Sequence, residues 1–274
     1  AFAMRVNAKE RLGFGLNENG QIIPLNPEAS YNYKLGIDDY LKFRINARTG
    51  QDILAETFKL PYQQDEYLLE LTDEEKSLTE FFRKSIGISN NDLVVGFNTG
   101  CSELYPNKKM TVEQHLSLIS RFSEESGIKM LLLGGPEDTL RNSEIYRRAI
   151  EKNPSLVTRL FNTPTTEGVR KGIVYENAAD VVITGDSFGM HLAIALKKFV
   201  IVWFGVSCWN EIDLYGRGVK LIPEGLFCSP CWKKKCPYNL ECIEMIDIDR
   251  IVSIVLDQLQ QKRHSLSKTS TFST

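Results

Sequence analysis

The feature that most constrains the fold is the alternation of four short apolar segments with segments of helical periodicity between residues 89 and 222. The apolar segments cover residues 93–97, 128–133, 180–184 and 199–204. Continuous apolar runs of this length are typical of strands buried on both faces, and intervening helices connect strands that run parallel. The pattern predicts an α/β domain with a parallel sheet covered by helices on both faces. Such sheets bind ligands at the carboxyl ends of their strands.

The composition excludes several classes of protein. Hydrophobic residues make up 42% of the 274 residues and charged residues 25%, which is typical of a globular protein. A count of 33 Lys and Arg against 35 Asp and Glu leaves a net charge of −2, so no surface dedicated to nucleic acid is expected. No apolar run approaches the roughly 18 residues of a membrane helix. The first ten residues lack a secretion signal, so we expect a cytoplasmic protein with reduced thiols.

Small and basic residues follow the first apolar segment. Thr99 and Gly100 come directly after it, and Lys108 lies a few residues further on. Backbone N–H groups in such a turn are open to an anion, and a lysine can supply the counter-charge. An ordinary polar loop with solvated lysines explains the same residues.

A second candidate anion site follows the third apolar segment. An Asp or Ser at the start of a helix can cap it, and the remaining N–H groups and the helix dipole favour phosphate oxygens. A well-capped helix with its histidine packed in the core is the alternative. The candidate residues are Asp186, Ser187, Phe188, Gly189 and His191.

An acidic turn follows the second apolar segment. Glu137 ends the sequence Gly134-Gly-Pro-Glu137, where a carboxylate can bind a ribose hydroxyl pair or can cap a helix. The chain has neither a G-x-G-x-x-G sequence nor a Walker A lysine loop. Nicotinamide-dinucleotide and P-loop nucleotide sites therefore lack their main signature.

Four cysteines lie within fifteen residues near the carboxyl end of the chain. They are Cys228, Cys231, Cys236 and Cys242. The first pair has zinc-knuckle spacing, and four thiolates would make a closed, structural zinc site rather than a catalytic one. Free structural thiols and disulfides formed on purification are the alternatives.

The motifs occur in an order that resembles the C-terminal half of glycosyltransferase family 9, the ADP-heptose:lipopolysaccharide heptosyltransferases. The resemblance covers residues 92–256, and residues 1–88 resemble the end of the family's N-terminal domain through Arg11-Leu-Gly-Phe-Gly15. Residues 89–262 would then be the C-terminal nucleotide-sugar-binding domain. The Ser- and Thr-rich residues 263–274 are expected to be a disordered tail. The motifs are Thr99-Gly100 with Lys108, Gly134 to Glu137, Asp186 to Ala193, Trp203-Phe-Gly205, Tyr215-Gly216 and Cys228 to Pro237.

The resemblance implies a GT-B fold, in which two Rossmann-like domains with helices on both faces of a parallel sheet face each other across a cleft. It also implies an inverting, metal-independent sugar transfer. The donor would be a nucleotide sugar, ADP-heptose first, and the acceptor a lipid-linked core oligosaccharide of lipopolysaccharide at the inner face of the inner membrane. Membrane contact would be peripheral. Carried over residue by residue, Thr99, Gly100 and Lys108 would hold the donor phosphates and Glu137 the ribose. The diphosphate would lie along Asp186, Ser187 and the N–H groups of Phe188 and Gly189.

Two departures from the family pattern affect these expectations. Ser187 and Phe188 stand where the family has Thr and Gly, and a phenylalanine is disfavoured if that position needs a positive φ. The Gly-Asp loop that supplies the family's catalytic carboxylate is not found, so no catalytic residue is identified. An inverting transfer needs such a base to deprotonate the acceptor hydroxyl.

We therefore expect this chain to supply the donor-binding half of such an enzyme, with most of the N-terminal domain missing. One alternative is a non-catalytic nucleotide-binding or assembly module derived from such an enzyme. Another is a pair of chains, in which a separate polypeptide supplies the N-terminal domain.

Overall fold

The computed structural model describes residues 2–271, with side chains up to residue 268. It divides into two compact units. The first unit runs up to Glu66 and includes Cys208–Tyr215. The second contains Tyr67–Ser207 and the chain from Gly216 onward.

The first unit is a small α/β assembly around a hairpin. Asn17 stabilises its turn, because the Asn17 side chain accepts hydrogen bonds from the N–H groups of Asn19 and Gln21 at 3.0 and 2.9 Å. Asn26 is buried and ties this unit together: it accepts from Gly13 N at 2.7 Å and donates to Thr57 O at 3.1 Å. The elements are α1 (Phe2–Arg5), β1 (Phe14–Leu16), β2 (Ile22–Pro24), α2 (Ala29–Leu35), a π-helical turn (Leu41–Ile45) and α3 (Gly50–Thr57).

The second unit has the predicted architecture, a six-stranded parallel sheet with interleaved helices. The four apolar segments are strands within a residue of their predicted bounds. Two strands of three and four residues at the sheet edges were not predicted, because they are too short for a pattern. The elements are α4 (Asp73–Ser85), β3 (Leu93–Asn98), α5 (Val112–Ser123), β4 (Ile128–Leu133), α6 (Thr139–Lys152), β5 (Leu160–Asn162), α7 (Val169–Asn177), β6 (Val181–Gly185), α8 (Phe188–Ala195), β7 (Phe199–Trp203), β8 (Gly218–Leu221), α9 (Glu241–Glu244) and α10 (Ile248–Thr271).

The strand order is β5-β4-β3-β6-β7-β8. The chain moves from β3 outward in one direction and returns to add β6 on the other side, so the order reverses between β3 and β6. Loops that leave neighbouring strands in opposite directions open a crevice at the carboxyl edge of the sheet. This topology places the ends of β3 and β6 at the mouth of that crevice.

Local signals explain where the helices begin. Thr72 and Glu75 form a reciprocal capping box at α4, and Thr111 and Gln114 form another at α5. Each box satisfies two of the backbone donors that a helix start leaves unpaired. The helices then bury apolar faces on the sheet; Phe122 of α5 and Ile251 of α10 are fully buried with Phe97 of β3.

The division by packing falls at residue 67, whereas the sequence pattern places the boundary at 88/89. The difference is α4, which packs on α7 within the second unit. The Thr79 hydroxyl donates to Val174 O at 3.2 Å, and the Arg83 guanidinium donates to Ala178 O. Helix α4 therefore belongs structurally with the sheet that follows it.

The prediction of a disordered tail over residues 263–274 is wrong for residues 263–271, which continue α10. Side chains fasten this helix: Lys262 Nζ donates to Asp92 O at 2.7 Å and to Asp180 Oδ2 at 2.8 Å, and Arg263 donates to Ser126 O at 2.7 Å. Composition does not reveal such long-range contacts. Residues 272–274 lie outside the described residues.

None of the helices in the described range is both long enough and apolar enough to span a bilayer.

Candidate nucleotide-sugar site

A pocket of about 300 Å³ lies at the carboxyl edge of the second unit's sheet. It is bounded by the loops after β3, β4 and β5 and by residues of α7 and α8. Its volume is at the lower end of the range for small-molecule sites. Five of the predicted residues line it: Gly100, Glu137, Ser187, Phe188 and Gly189.

The start of α8 forms one end of the pocket. Ser187 is its N-cap, with an extended backbone and a side chain that accepts from Met190 N at 3.4 Å. The N–H groups of the first turn have no acceptor within the helix, so they and the helix dipole favour an anion here. Ser187 is itself held by Asn98 of β3, whose Nδ2 donates to Ser187 Oγ at 2.8 Å and to Thr184 Oγ1 at 2.9 Å.

Two glycines are required by close contacts at this end. A Cβ on Gly189 would lie 2.2 Å from Asn98 Nδ2, and a Cβ on Gly100 would lie 1.9 Å from Asp138 Oδ2. Neither glycine has a positive φ. Both positions exclude side chains because backbone and polar groups approach each other closely around the pocket.

Phe188 does not need the left-handed backbone that its departure from the family pattern made a concern. It is the first residue of α8 and is absent from the positive-φ residues of the described chain. Its ring is 63% exposed at the pocket edge. The phenylalanine therefore fits the helix start without strain.

Lys108 supplies positive charge next to α8. Its Nζ lies 2.6 Å from Asp186 Oδ2, and both side chains are largely buried. Asp186 immediately precedes the N-cap, so this ion pair holds the ammonium group beside the helix start. The backbone of Lys108 is fixed as well, because Trp203 Nε1 donates to Lys108 O at 2.9 Å.

Two aromatic rings cover the same ammonium group. Lys108 Nζ lies 5.3 Å from the Tyr105 ring centroid and 5.0 Å from that of Trp232. The two rings meet edge to face with centroids 5.4 Å apart. Cation–π contacts of this kind strengthen as water is excluded. Trp232 comes from the cysteine-rich segment, so this segment contributes to the anion site.

His191 lies one turn into α8 and faces Tyr67. The rings stack with centroids 5.7 Å apart, and Tyr67 Oη lies 3.1 Å from His191 Nδ1. Burial lowers the pKa of His191 below its usual value, with the positive charge of Lys108 acting in the same direction and Asp186 opposing. The imidazole is therefore neutral at pH 7, so it contributes hydrogen bonding rather than charge.

Thr99 and Glu137 differ in solvent exposure: Thr99 is buried and Glu137 is exposed. Thr99 is 1% exposed, does not line the pocket, and donates its hydroxyl hydrogen bond to Asn142 Oδ1. Glu137 is exposed at the pocket rim. The structure thus leaves Glu137 available to a ribose, while the Thr99 side chain stabilises the contact between β3 and α6.

Comparison with known proteins places the chain in a family. Residues 26–241, more than half of the chain, match the model described as glycosyltransferase family 9 (heptosyltransferase). The chain belongs to glycosyltransferase family 9. No curated protein matches it significantly.

Two solved structures show the fold of this family 9 chain. The E. coli ADP-heptose LPS heptosyltransferase II aligns with a TM-score of 0.56 at 18% identity, over 76% of this chain and 57% of that one. A glycosyl transferase family 9 protein from Veillonella parvula aligns with a TM-score of 0.57 at 18% identity, over 80% and 62%. The chain therefore spans less than two thirds of either protein, and the likeness shows a GT-B-like α/β fold.

The cysteines of this family 9 chain come together without forming a metal-holding arrangement. Cys228, Cys231, Cys236 and Cys242 line one cavity of about 20 Å³. Burial first, and then the neighbouring thiols, raise the pKa of Cys242 to about 11. In the part of the chain that the structure describes, no three His, Cys, Asp or Glu side chains are placed to hold a metal ion. Zinc at these thiols stays a prediction, and binding would require the thiols to move.

The sequence analysis did not assign four side chains of the candidate site. Asn98 and Glu176 line the pocket, Tyr67 contacts His191, and Trp232 contacts Lys108. Asn98 ends an apolar strand, and a polar residue at that point of a parallel sheet is a usable signal. Tyr67 and Trp232 reach the site from distant segments, so no local pattern reveals them. Glu176 lies on a helix whose apolar pattern alone would assign that position to the core.

Proposed function

We propose that this chain is the donor-binding half of an inverting glycosyltransferase that uses a nucleotide-diphosphate sugar. The observation that carries the proposal is the anion site at the crevice between β3 and β6, where the start of α8 lines the pocket and the Lys108 ammonium group is paired with Asp186, the residue before the N-cap of α8. Family membership supports sugar transfer as the reaction.

The finer assignment is heptose as the sugar, ADP as its carrier and the lipopolysaccharide core as the acceptor. The similar fold of the E. coli ADP-heptose LPS heptosyltransferase II supports this assignment. The acceptor would be lipid-linked, so we place the reaction at the inner face of the inner membrane, with peripheral contact only.

In this proposal, residues in the pocket and beside it stabilise the leaving group as it departs. When the bond between the sugar and the β-phosphate breaks, negative charge develops on the nucleoside diphosphate. The first N–H groups of α8 and the Lys108 ammonium group stabilise that charge without reorganising. Asp186 keeps Lys108 oriented, and Gly189 lets the phosphate approach the backbone. Glu137, at the rim, accepts hydrogen bonds from the ribose hydroxyls.

Calorimetric titration of the purified chain with ADP, UDP and GDP tests the proposal. We expect saturable binding of ADP, weakened about tenfold or more in Lys108→Ala because a charge-assisted contact to phosphate is lost. Lys152→Ala, which removes an exposed lysine at the end of α6, is the matched control and should bind as wild type does.

Each result has a distinct meaning. Tight binding of UDP or GDP in place of ADP would keep the donor site and overturn the ADP assignment. Binding of ADP that Lys108→Ala leaves unchanged would overturn the role of the anion site. A folded chain that binds none of the three would favour the non-catalytic module. Sugar transfer itself is tested by adding a separately produced N-terminal domain of a family 9 enzyme as the complementing chain.

A further inference from the structure

A buried acid is among the residues that line the pocket. Glu176 of α7 is only 5% exposed and lines the pocket. Its Oε1 has no hydrogen-bond partner among the described residues. Buried polar atoms are paired in the great majority of cases, and the exceptions point to a role. An unpaired carboxyl oxygen at a ligand pocket indicates that a ligand supplies the missing partner.

A glycine one helical turn earlier keeps the space above Glu176 open. Gly172 occupies the i−4 position, on the same face of α7, and also lines the pocket. A Cβ built on Gly172 meets nothing within 4 Å. Glycine is a poor helix former in the middle of a helix, so no helical preference explains its presence here. Its effect is an unfilled slot beside the Glu176 carboxyl group.

The walls of this slot suit a flat ring. Pro164, Val169 and Leu192 also line the pocket and give it apolar walls. Flat heterocycles bind between apolar walls, with a few polar groups that fix their edge. A nucleotide whose diphosphate lies at Gly189 would therefore present its base to α7.

Burial determines the protonation state of Glu176. It raises the pKa of Glu176 to about 8, and Lys198 opposes this shift only in part. Lys198 is half-buried and donates to Asn177 O at 2.7 Å. The other charged groups that act on Lys198 are Asp180, Arg83 and Lys262. At neutral pH the Glu176 side chain is thus a carboxylic acid, with one O–H donor and one carbonyl acceptor.

We propose that the Glu176 carboxylic acid reads the adenine of the donor nucleotide at its N1 and N6 edge. The acid O–H donates to N1, and its carbonyl oxygen accepts from the N6 amino group. This rests on the proposed function, because it places the diphosphate at α8. It adds the residue that selects the base, which neither the anion site nor Glu137 can do.

The test compares ADP with 1-deaza-ADP, in which a C–H group replaces N1. Wild type should bind ADP about ten- to a hundredfold more tightly than the analogue, the range expected when a buried donor is left unmatched. Glu176→Met should bind both compounds equally and weakly. Glu176→Gln should bind ADP as wild type does at pH 7, because an amide offers the same donor and acceptor.

The pH dependence separates this role from a structural one. ADP binding to wild type should weaken about tenfold between pH 7 and pH 9, as the acid ionises and its oxygen faces the N1 lone pair. Glu176→Gln should show no such fall. Glu80→Gln and Glu80→Met, at an exposed position on α4, are the matched controls and should keep the wild-type affinity and pH dependence.

The outcomes distinguish this inference from the proposed function. If wild type binds ADP but discriminates neither against 1-deaza-ADP nor by pH, the role of Glu176 is overturned and the anion site stands. Equal ADP affinity in wild type and Glu176→Met overturns it as well. If wild type binds no nucleoside diphosphate, both proposals fall. Gly172→Leu, which fills the slot and leaves Glu176 itself unsubstituted, should abolish ADP binding; unchanged binding would place the base elsewhere.

Discussion

Two buried titratable groups should give the stability of this protein opposing pH dependences. His115 of α5 is 1% exposed, its Nδ1 donates to Thr111 O at 2.8 Å, and its ring meets that of Phe97 edge to face at 6.0 Å. Burial lowers the pKa of His115 to about 4. Glu176 is buried as an acid with its pKa raised to about 8. The unfolded chain titrates both groups near their ordinary values.

The signs follow from which state binds more protons. Between pH 6.5 and about 4 the unfolded chain protonates His115 and the folded chain does not, so this group costs stability as pH falls. Between about pH 8 and 4.5 the folded chain keeps the Glu176 proton that the unfolded chain loses, so that group adds stability as pH falls. From pH 7 to pH 5, His115 removes about 2 kcal/mol and Glu176 adds about 2.5 kcal/mol.

Substituting one of the two groups should reveal the pH dependence of stability that the other contributes. We expect wild type to change by less than about 1 kcal/mol between pH 7 and pH 5, because the two contributions nearly cancel. Glu176→Gln should lose about 2 kcal/mol over this range, and His115→Asn should gain about 2.5 kcal/mol. Asparagine keeps a donor near the Nδ1 position. Urea unfolding at both pH values measures the free energies.

The quantity to compare is the change in the free energy of unfolding between pH 7 and pH 5. Comparing this change, and not the absolute stabilities, removes the packing cost of each substitution. Surface carboxylates titrate alike in all three proteins, so they cancel as well. The same pH dependence in wild type and in both variants would refute the reasoning, since it would mean that neither group is buried in the state described. A steeper loss in His115→Asn than in wild type would refute the sign for His115.

Three further predictions concern single sites. Gly172→Ala should raise the free energy of unfolding by up to about 1 kcal/mol, since its Cβ meets nothing within 4 Å; thermal unfolding checks this, and a lower midpoint than wild type would contradict it. Gly189→Ala should abolish diphosphate binding while the chain stays folded, because its Cβ would lie 2.2 Å from Asn98 Nδ2. Calorimetry with ADP measures binding and circular dichroism measures folding. Intact binding would show that Asn98 can move away. Metal analysis of the purified chain should find one zinc per molecule, lost in Cys231→Ser; a zinc-free protein with the same thermal midpoint as this variant would contradict the prediction.

The sheet could be predicted because its signal is local. Strands such as β4 and β7 are continuous apolar runs, and such runs are required wherever both faces of a strand are covered. The helix starts at Thr72 and Thr111 also have a local signal in the sequence, since each capping box lies within four residues. The edge strands β5 and β8 could not be predicted, because three or four residues are too few to show a periodic pattern of apolar residues.

The candidate site was predictable in its position and only partly in its residues. A small residue at Gly189 and a capping residue at Ser187 can be read directly after an apolar run. Thr99 was assigned to the phosphates on the same grounds, yet its hydroxyl bonds to Asn142, 43 residues away. Hydroxyl direction depends on which helix packs against the strand, and no local pattern reports this.

The sequence by itself determined the four central strands of the sheet, the helix that presents its N–H groups to an anion, and the membership of the family, because each depends on short local runs or motifs. Only the tertiary structure decided which side chains meet. Lys108 reaches Asp186 across 78 residues, and Trp232 covers the same ammonium group from the cysteine-rich segment. The strand order brings the ends of β3 and β6 together. Burial raises the pKa of Glu176 and lowers that of His191, so that both are neutral at pH 7. Charge state at this site depends on what surrounds a residue, and that is determined by packing.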